Sequence, residues 1–308
     1  MATAERFPPL PTHPLTALPG NVELVAHLNM ARARGTDPFQ LLDRAREDSC
    51  LGASELDHLW GATDNVALGF SRGPMAESWS IALKGDRTST EPLRVLESLS
   101  RIFPTWRRHS EPTRVGRLQG FTIGPVTVAR VGEDLIVIVP AARFADLARA
   151  YENPTRSIFV PRPALVLEPG MLELWDHEGR VGAWLQDSMP TGLQDLIPAA
   201  PLSVSLVANP AGLSAQARTQ LQDDRQALHL ATGLSTHLRS HAWLFGLLGL
   251  PALHERIKGQ HNDSIVEFHV NMTRTEASRL LNRMRSKMHG FAENLCRYTA
   301  QMKREMAL

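Results

Sequence analysis

The chain has 308 residues, 43% of them hydrophobic and 21% charged, and its formal net charge is +1. This composition is typical of a soluble globular protein and argues against wholesale disorder, while the length leaves room for two domains with separate cores. Aromatic residues make up only 6% of the chain, and basic clusters with interleaved aromatic residues do not extend over any domain. Nucleic-acid binding is therefore not expected.

The N-terminal residues 1–19 are rich in proline and are predicted to form an extended tail. They contain no basic region followed by an apolar core, so they do not resemble a signal peptide. This predicts a cytoplasmic chain, and a periplasmic or envelope location stays open if the terminus is processed or trimmed. The two cysteines, Cys50 and Cys296, match no metal or redox spacing, and we expect no metal or cofactor.

Residues 20–153 are predicted to form a first α+β domain. Apolar and polar residues alternate from Val22 to Met30, which is typical of a half-buried strand. Asp37 and Pro38 open a helix, and Thr90 caps another. The other predicted elements are a helical piece near Ser54, strands at 65–70, 78–83, 120–131 and 135–139, and a helix through Phe144 to Tyr151.

A proline-rich stretch at 154–163 is predicted to link this domain to a second one at 164–272. In the second domain, Pro210 presets the bend of a turn between two strands, and Asp223 or Asp224 caps a helix. The pattern predicts strands at 164–174, 202–208, 213–221 and 266–272, a helical turn at 193–197, and a helix with Ala227, Ala231, Leu234 and Leu238 facing inward.

The two predicted domains share a plan, because strand, turn, strand and capped helix occur at 65–103 and again at 202–240. A shorter similarity exists between His27-Leu28-Asn29-Met30 and His269-Val270-Asn271-Met272, each of which is predicted to lie at the end of a strand and just ahead of a helix. We predict an internal duplication. The fold class is α+β, with two similar, mainly antiparallel sheet domains that carry helices on one face, and a long C-terminal helix.

This order of elements resembles the duplicated α+β modules of uncharacterised bacterial envelope proteins and lipoproteins. The resemblance covers most of residues 20 to 285 and is one of pattern, without a signature motif. It implies a bacterial protein of the envelope class and implies no catalytic residues.

The segment 273–308 is predicted to be a long, basic, amphipathic helix. Thr273 and Glu276 have the spacing of a capping box, and at ~1.5 Å per residue the helix would extend for ~50 Å. It contains eight Lys/Arg and three acidic residues, a net charge of +5 that leaves −4 for the rest of the chain. Its apolar stripe follows alternating steps of four and three, the spacing of a helix packed lengthwise on another surface, and consists of Ala277, Leu281, Met284, Met288, Phe291, Leu295, Tyr298 and Met302.

Beyond Gly290 this stripe exceeds what the second domain alone can cover, so Phe291, Leu295, Tyr298 and Met302 are predicted to bind a partner. The surface that covers them is the first domain, a second copy of the chain or another protein. A run of twelve apolar residues at 242–253 is too short to cross a bilayer; it is either a buried connection or an exposed loop that assists binding. Its candidate contact residues are Trp243, Phe245 and Leu247.

Three other groups of residues have weaker chemical patterns. Residues 69–73 spell G-x-S-x-G around Ser71, but a nucleophile elbow needs a helix next, and the sequence predicts a strand. His237 and His241 have the i, i+4 spacing of metal ligands without a third partner. Two alternating polar sets either line a groove or face solvent, with solvent favoured; they are Glu267, His269 and Asn271, and Glu23, His27 and Asn29.

The leading hypothesis is therefore a non-enzymatic binding or assembly module that associates through its C-terminal helix. The first alternative is a peripheral protein on an anionic membrane surface, held by the basic helix and the apolar loop. The second is a serine hydrolase that uses Ser71, which labelling by a fluorophosphonate would test.

Overall fold

The computed structural model of the chain describes residues 10–40, 43, 61–71, 79–86, 92, 94–95, 97, 110–152, 159–188, 198–240, 242, 253–280 and 282. The described residues divide into two compact units. The first unit holds residues 10–22 and those from 61 to 160, and the second holds those from 23 to 43 and from 161 to 282.

Within the described residues, twelve strands and five α-helices have defined bounds and are named here in chain order. The strands are β1 (Leu24–Asn29), β2 (Thr63–Phe70), β3 (Trp79–Gly85), β4 (Ser110–Val115), β5 (Leu118–Ile123), β6 (Val126–Arg130), β7 (Leu135–Pro140), β8 (Leu172–Asp176), β9 (Leu202–Asn209), β10 (Gly212–Gln220), β11 (Lys258–Asn262) and β12 (Ile265–Thr273). The helices are α1 (Met30–Ala33), α2 (Phe144–Glu152), α3 (Arg180–Ser188), α4 (Asp224–Ser240) and α5 (Leu253–Arg256). Residues 37–40 and 274–280 are also helical.

The first unit contains an antiparallel sheet with the strand order β2-β3-β7-β6-β5-β4. The central strand β7 is buried along its whole length, which agrees with its unbroken apolar sequence. The main cluster of buried side chains on this sheet consists of Val95, Ile123, Val126, Val128, Ile136 and Ile138.

Part of the proline-rich N-terminal segment is packed into the first unit. Residues Leu15–Ala17 form a short 3₁₀ helix, and Ala17 and Leu18 are completely buried. The hydroxyl of Tyr151 donates a hydrogen bond of 2.5 Å to the carbonyl of Ala17, and burial raises the pKa of that hydroxyl. These contacts fix residues 15–18 on α2, so this portion of the predicted tail is part of the core.

The second unit contains an antiparallel sheet with the strand order β1-β8-β9-β10-β12-β11. Helix α4 packs on β11 and β12. The side chains of Leu221, Ala227, Leu230, Ala231 and Val266 form the core between helix and sheet. Burial of these groups supplies most of the stability of such a layer.

Strand β1 belongs to the second unit, whereas the sequence placed residues 20–153 together in a first domain. The reason is its pairing with β8, in which Leu24 lies opposite Asp176 and Leu28 lies opposite Leu172. The pairing joins residues almost 150 positions apart in the chain. The alternating pattern of β1 predicts a strand but does not indicate which strand it pairs with.

Most other predicted strands are confirmed, and the misses have local causes. The predicted strand 120–131 is two strands, β5 and β6, because Gly124 has a positive φ of 53° and turns the chain. The predicted strand 164–174 is a 3₁₀ turn at Pro163–Leu165 followed by an extended stretch before β8. Sequence reasoning missed β4, β11 and α3 because β4 and β11 are polar edge strands and α3 contains a glycine.

Several predictions fall on residues outside the described ranges. They are the helical piece near Ser54, the Thr90 cap and most of its helix, the helical turn at 193–197, both cysteines, His241, and the contact residues Trp243, Phe245 and Leu247.

The fold is α+β, with extensive antiparallel sheet and few helices among the described residues. The predicted fold class is confirmed at this level.

The core under α4 provides a direct test of the helix orientation. Leu230 is 6% exposed within the core cluster, and Leu228, two residues earlier, is 46% exposed. Leu230→Ala should lower the free energy of unfolding by about 2–5 kcal/mol because it leaves a cavity. Leu228→Ala is the matched control and should change it by less than about 1 kcal/mol. Urea denaturation followed by circular dichroism measures both, and equal losses would contradict this packing.

Candidate functional site at the start of the terminal helix

Strand β12 passes directly into a helix that begins at Arg274, called the terminal helix below. The carboxylate of Glu276 accepts hydrogen bonds from the backbone N–H (2.9 Å) and the hydroxyl (2.7 Å) of Thr273. The hydroxyl of Thr273 in turn accepts from the N–H of Glu276 at 3.4 Å. The predicted capping box is confirmed, and it lets the chain change from strand to helix without an intervening loop.

Two ion pairs attach this junction to distant parts of the second unit. Arg256, at the end of α5, pairs with Glu276 and also donates to the carbonyl of Asn271 at 3.1 Å. Arg274 makes a bidentate pair with Asp37, with distances of 2.9 and 3.1 Å. Bidentate Arg–carboxylate pairs fix orientation as well as distance. The first turn of the terminal helix is therefore held from two sides.

The charges of the junction shift the pKa values of its carboxyl groups. The hydrogen bond from Arg256, with those from Thr273, lowers the pKa of Glu276 from its usual 4.5 to about 2. The hydrogen bond from Arg274 also lowers the pKa of Asp37. Both carboxyl groups are therefore ionised at neutral pH, and both pairs persist in mildly acidic solution.

The turn between β9 and β10 supports the junction from a third side. The backbone N–H of Arg274 donates to the carbonyl of Ala211 at 3.0 Å, and the side chain of Asn209 accepts from the N–H of Ala211 at 3.0 Å. Gly212 has a φ of 149°, and a Cβ there would lie 1.9 Å from the carbonyl oxygen of Met272. Only glycine allows this close approach of the turn to β12.

A cleft of about 300 Å³ lies between these parts. It is lined by Gly35, Thr36, Asp37, Pro38, Ala208, Asn209, Pro210, Gly212, Leu213, Arg274 and Ala277. Among these lining residues, the two with charged side chains are Asp37 and Arg274, which are already paired. Apart from this ion pair, the cleft is lined by apolar and uncharged polar groups.

The predicted contact residues of the terminal helix, Phe291, Leu295, Tyr298 and Met302, lie outside the described residues. The first residue of the same apolar stripe, Ala277, is described and is only 5% exposed. The stripe thus starts against the body of its own unit, as expected for the first half of the helix.

One of the two predicted polar sets forms a hydrogen-bonded network on the sheet. Glu267 lies 2.7 Å from Arg218 and 2.5 Å from His269. The hydroxyl of Ser214 donates to Asn271 at 2.6 Å. Burial alone would raise the pKa of Glu267, but the bonds and charges of Arg218 and His269 outweigh it and lower that pKa.

The side chains of the second polar set, Glu23, His27 and Asn29, do not bond to one another, and the expected exposure to solvent is wrong for His27. The side chain of His27 is buried and lies 2.6 Å from Glu173, Glu23 pairs with Arg180, and Asn29 accepts a bond of 3.0 Å from a backbone N–H of α1. The similarity of the two sets is therefore one of sequence pattern. Each side chain of the second set has a separate structural partner.

Ser71 directly follows β2, and the next described element is β3, which is antiparallel to β2. A nucleophile elbow instead connects a strand of a parallel sheet to a helix. His237 lies on α4, and its predicted partner His241 is outside the described residues. Among the described residues, no three His, Cys, Asp or Glu side chains are grouped closely enough to hold a metal ion.

Sequence reasoning missed the two ion pairs that hold the terminal helix. Asp37 and Arg256 are single charged residues in unremarkable surroundings, far along the chain from the groups that they contact. The sequence contains no signal for either pair, because each depends on which segments the sheet brings together.

No protein-family model matches this chain, and no curated protein matches it. Two crystal forms of TP0453 are similar in structure. Form III matches with a TM-score of 0.53 and 10% identity over 90% of this chain and 99% of that one. Form IV matches with a TM-score of 0.51 and 11% identity over 89% and 96%. At this identity the likeness shows a shared fold alone.

The lowered pKa of Glu276 predicts a specific pH dependence. The stabilisation from its ion pair should be complete above the usual pKa of 4.5 and should be lost as the pH falls towards about 2. Glu276→Gln should therefore lower Tm at pH 6, and its difference from the unchanged protein should shrink between pH 4.5 and 2.5. Thermal melts across this range measure the effect.

Asp187→Asn is a matched control, since this carboxylate of α3 is exposed. It should produce no pH-dependent difference in Tm. A Glu276→Gln difference that is as large at pH 2.5 as at pH 6 would contradict the assignment.

Proposed function

We propose that this chain is a non-enzymatic binding or assembly module, which associates with a protein partner or with a second copy of itself through the terminal helix. The proposed contact residues are Phe291, Leu295, Tyr298 and Met302, assisted by Trp243, Phe245 and Leu247 of the apolar segment. The proposal rests on a comparison of the two units, on the attachment of the helix, and on the sequence of its stripe.

The strand orders of the two units support an internal duplication. In the first unit the hairpin β2–β3 is followed by β6 and β7, and β7 pairs with β3. In the second unit the hairpin β9–β10 is followed by β11 and β12, and β12 pairs with β10. We propose that the units are similar domains derived from one ancestral module, in which β4 and β5 are an addition to the first copy.

The duplication makes α2 the counterpart of the terminal helix, because each follows the last strand of its unit. Helix α2 has nine residues, and Phe144, Leu147, Ala148 and Tyr151 are its buried side chains. A nine-residue helix is thus sufficient to cover this position of the module. The apolar stripe of the terminal helix continues far beyond that length, to Met302. This excess is the observation that carries the proposal.

The attachment at Thr273 to Glu276 supports the same conclusion. The helix after β12 starts in a fixed direction. Here the capping box, Arg256 and Asp37 hold its first turn in a single orientation. Preorganisation of this kind lowers the entropic cost of ordering a binding element when it meets its partner.

The kind of partner surface follows from the residue types of the stripe. Large apolar and aromatic side chains exposed in a row on one helix face are rarely left in water. Methionine and tyrosine are adaptable contact residues, and they suit docking on a protein body better than a regular two-stranded zipper. An envelope location, as in the modules that the sequence resembles, is part of the proposal.

Single aspartate substitutions on opposite sides of the terminal helix test the proposal. Leu295→Asp places a charge within the stripe and should reduce association with the second copy or partner at least about tenfold, because burying an unpaired charge is costly. Ala300→Asp is the matched control on the opposite face and should leave association unchanged. Light scattering and co-purification of the full chain measure both. Equal behaviour of the two variants would contradict a role for this face.

The second candidate function is attachment to an anionic membrane surface, which the net charge of +5 on segment 273–308 favours. Within the described part of the chain, no helix has the length and hydropathy needed to cross a membrane. A surface-attached helix requires only one apolar face and basic flanks.

Flotation with liposomes distinguishes this candidate. Binding should increase with the fraction of anionic lipid and decrease as salt is added, because the basic residues are screened. Neutral vesicles are the control. Equal flotation with neutral and anionic vesicles, or none with either, would exclude electrostatic attachment.

The serine hydrolase alternative is the least supported of the three proposals. Its nucleophile would be Ser71, and the antiparallel pairing of β2 with β3 does not match the strand–turn–helix context that activates such a serine.

A further inference from the structure

In the second unit, the chain from Pro163 to Gly170 crosses the sheet without joining it; this segment is called the strap. It begins with the 3₁₀ turn Pro163–Leu165 and continues as an extended stretch until β8 begins at Leu172. The chain rejoins the sheet at Met171, whose N–H donates to the carbonyl of Leu206 at 2.8 Å. The strap is therefore fixed at its C-terminal end by the ladder.

The surface beneath the strap is polar, which is unusual for a buried part of a sheet. His27, Glu173 and Ser205 lie side by side on β1, β8 and β9, because each is the register partner of the next. Their exposed fractions are 4%, 8% and 1%, and Ser203 on the same face of β9 is also 1% exposed. A polar row of this kind is stable only where its hydrogen-bonding groups are satisfied.

The strap satisfies several of them through its main chain. Arg218 donates to the carbonyl of Val166 at 2.6 Å, and the hydroxyl of Ser205 donates to the carbonyl of Glu168 at 2.9 Å. Glu173 accepts a bond of 3.1 Å from the N–H of Gly170. Arg32 also donates to the carbonyl of Pro169. Side chains of the unit thus hold the strap by its backbone.

Beyond Leu165, apolar burial contributes little to this attachment. Leu165 is completely buried, but Val166 is 51% exposed, and Glu168 and Pro169 are exposed. Hydrogen bonds lost when the strap lifts would be replaced by bonds to water on both surfaces, and the net stabilisation per bond is small. The sheet beneath keeps its own ladder and the apolar core on its opposite face.

We propose that the strap is a cover, of which residues 166–170 lift away locally between two fixed ends, Leu165 and Met171, while the sheet of the second unit stays folded, and which exposes the row of His27, Glu173 and Ser205 when it opens. The side chains that bond to the strap set how often it opens; they are Arg218, Ser205, Glu173 and Arg32. This inference does not depend on the terminal helix or on the proposed function.

Hydrogen–deuterium exchange of the full chain, read by mass spectrometry, tests the cover. Arg218→Gln removes one of the charged side chains that bond to the strap, and exchange in peptides covering 164–170 should accelerate at least about tenfold, because charge-assisted hydrogen bonds are stronger than neutral ones. Exchange in β9 and β10 should stay unchanged. Ser205→Ala removes a second side chain that bonds to the strap and should accelerate exchange in the same peptides, so the test does not depend on one variant.

Two matched control variants distinguish the loss of a bond to the strap from a general disturbance of the sheet. Gln216→Ala changes the neighbouring residue on the same face of β10, and Glu267→Gln breaks the ion pair of Arg218 while leaving its bond to Val166 available. Each should change the exchange rate of the strap by less than about threefold, because neither removes a side chain that bonds to the strap. The proposal is overturned if the strap exchanges no faster than β9 and β10 in every variant, or if Arg218→Gln accelerates strap and strands equally.

Discussion

The second unit depends on the junction at which β12 becomes the terminal helix. Glu276 links the two elements, because one carboxylate caps the helix through Thr273 and also pairs with Arg256 of α5. Without this group the last strand of the sheet would end in unsatisfied helical N–H groups. The same first turn is held by Asp37 and by the β9–β10 turn. One short stretch thus joins the sheet, a neighbouring helix and the start of the proposed binding element.

The sheet of the second unit has one apolar face and one polar face, and the two faces contribute differently to its stability. One face carries the apolar core under α4, with Val266 completely buried. The other carries hydrogen-bonding side chains, of which some hold the strap and others, such as Glu267 and His269, form a partly exposed network. Apolar burial gives the unit a stable base. Polar contacts, which exchange readily with water, allow the opposite side to rearrange at low cost.

Local signals in the sequence predicted local structure well, and long-range pairing could not be predicted from them. The Thr273–Glu276 capping box and the turn at Pro210 were predictable because each depends on residues three or four positions apart. The pairing of β1 with β8 and the Asp37–Arg274 ion pair were not, because they join segments far apart in the chain. Polar edge strands such as β11 also escaped prediction, since an edge strand needs no apolar alternation. The proposed contact residues rest on periodicity alone.

The central proposal is that the stripe beyond Gly290 binds a second copy of the chain or another protein. The decisive measurement compares the full chain with a chain that ends at Gly290, both purified from the native source and both shown to be folded. The full chain should have a solution mass above its monomer mass of 34.1 kDa, and the shortened chain should be monomeric and without bound proteins. The same mass and the same bound proteins for both chains would contradict the account.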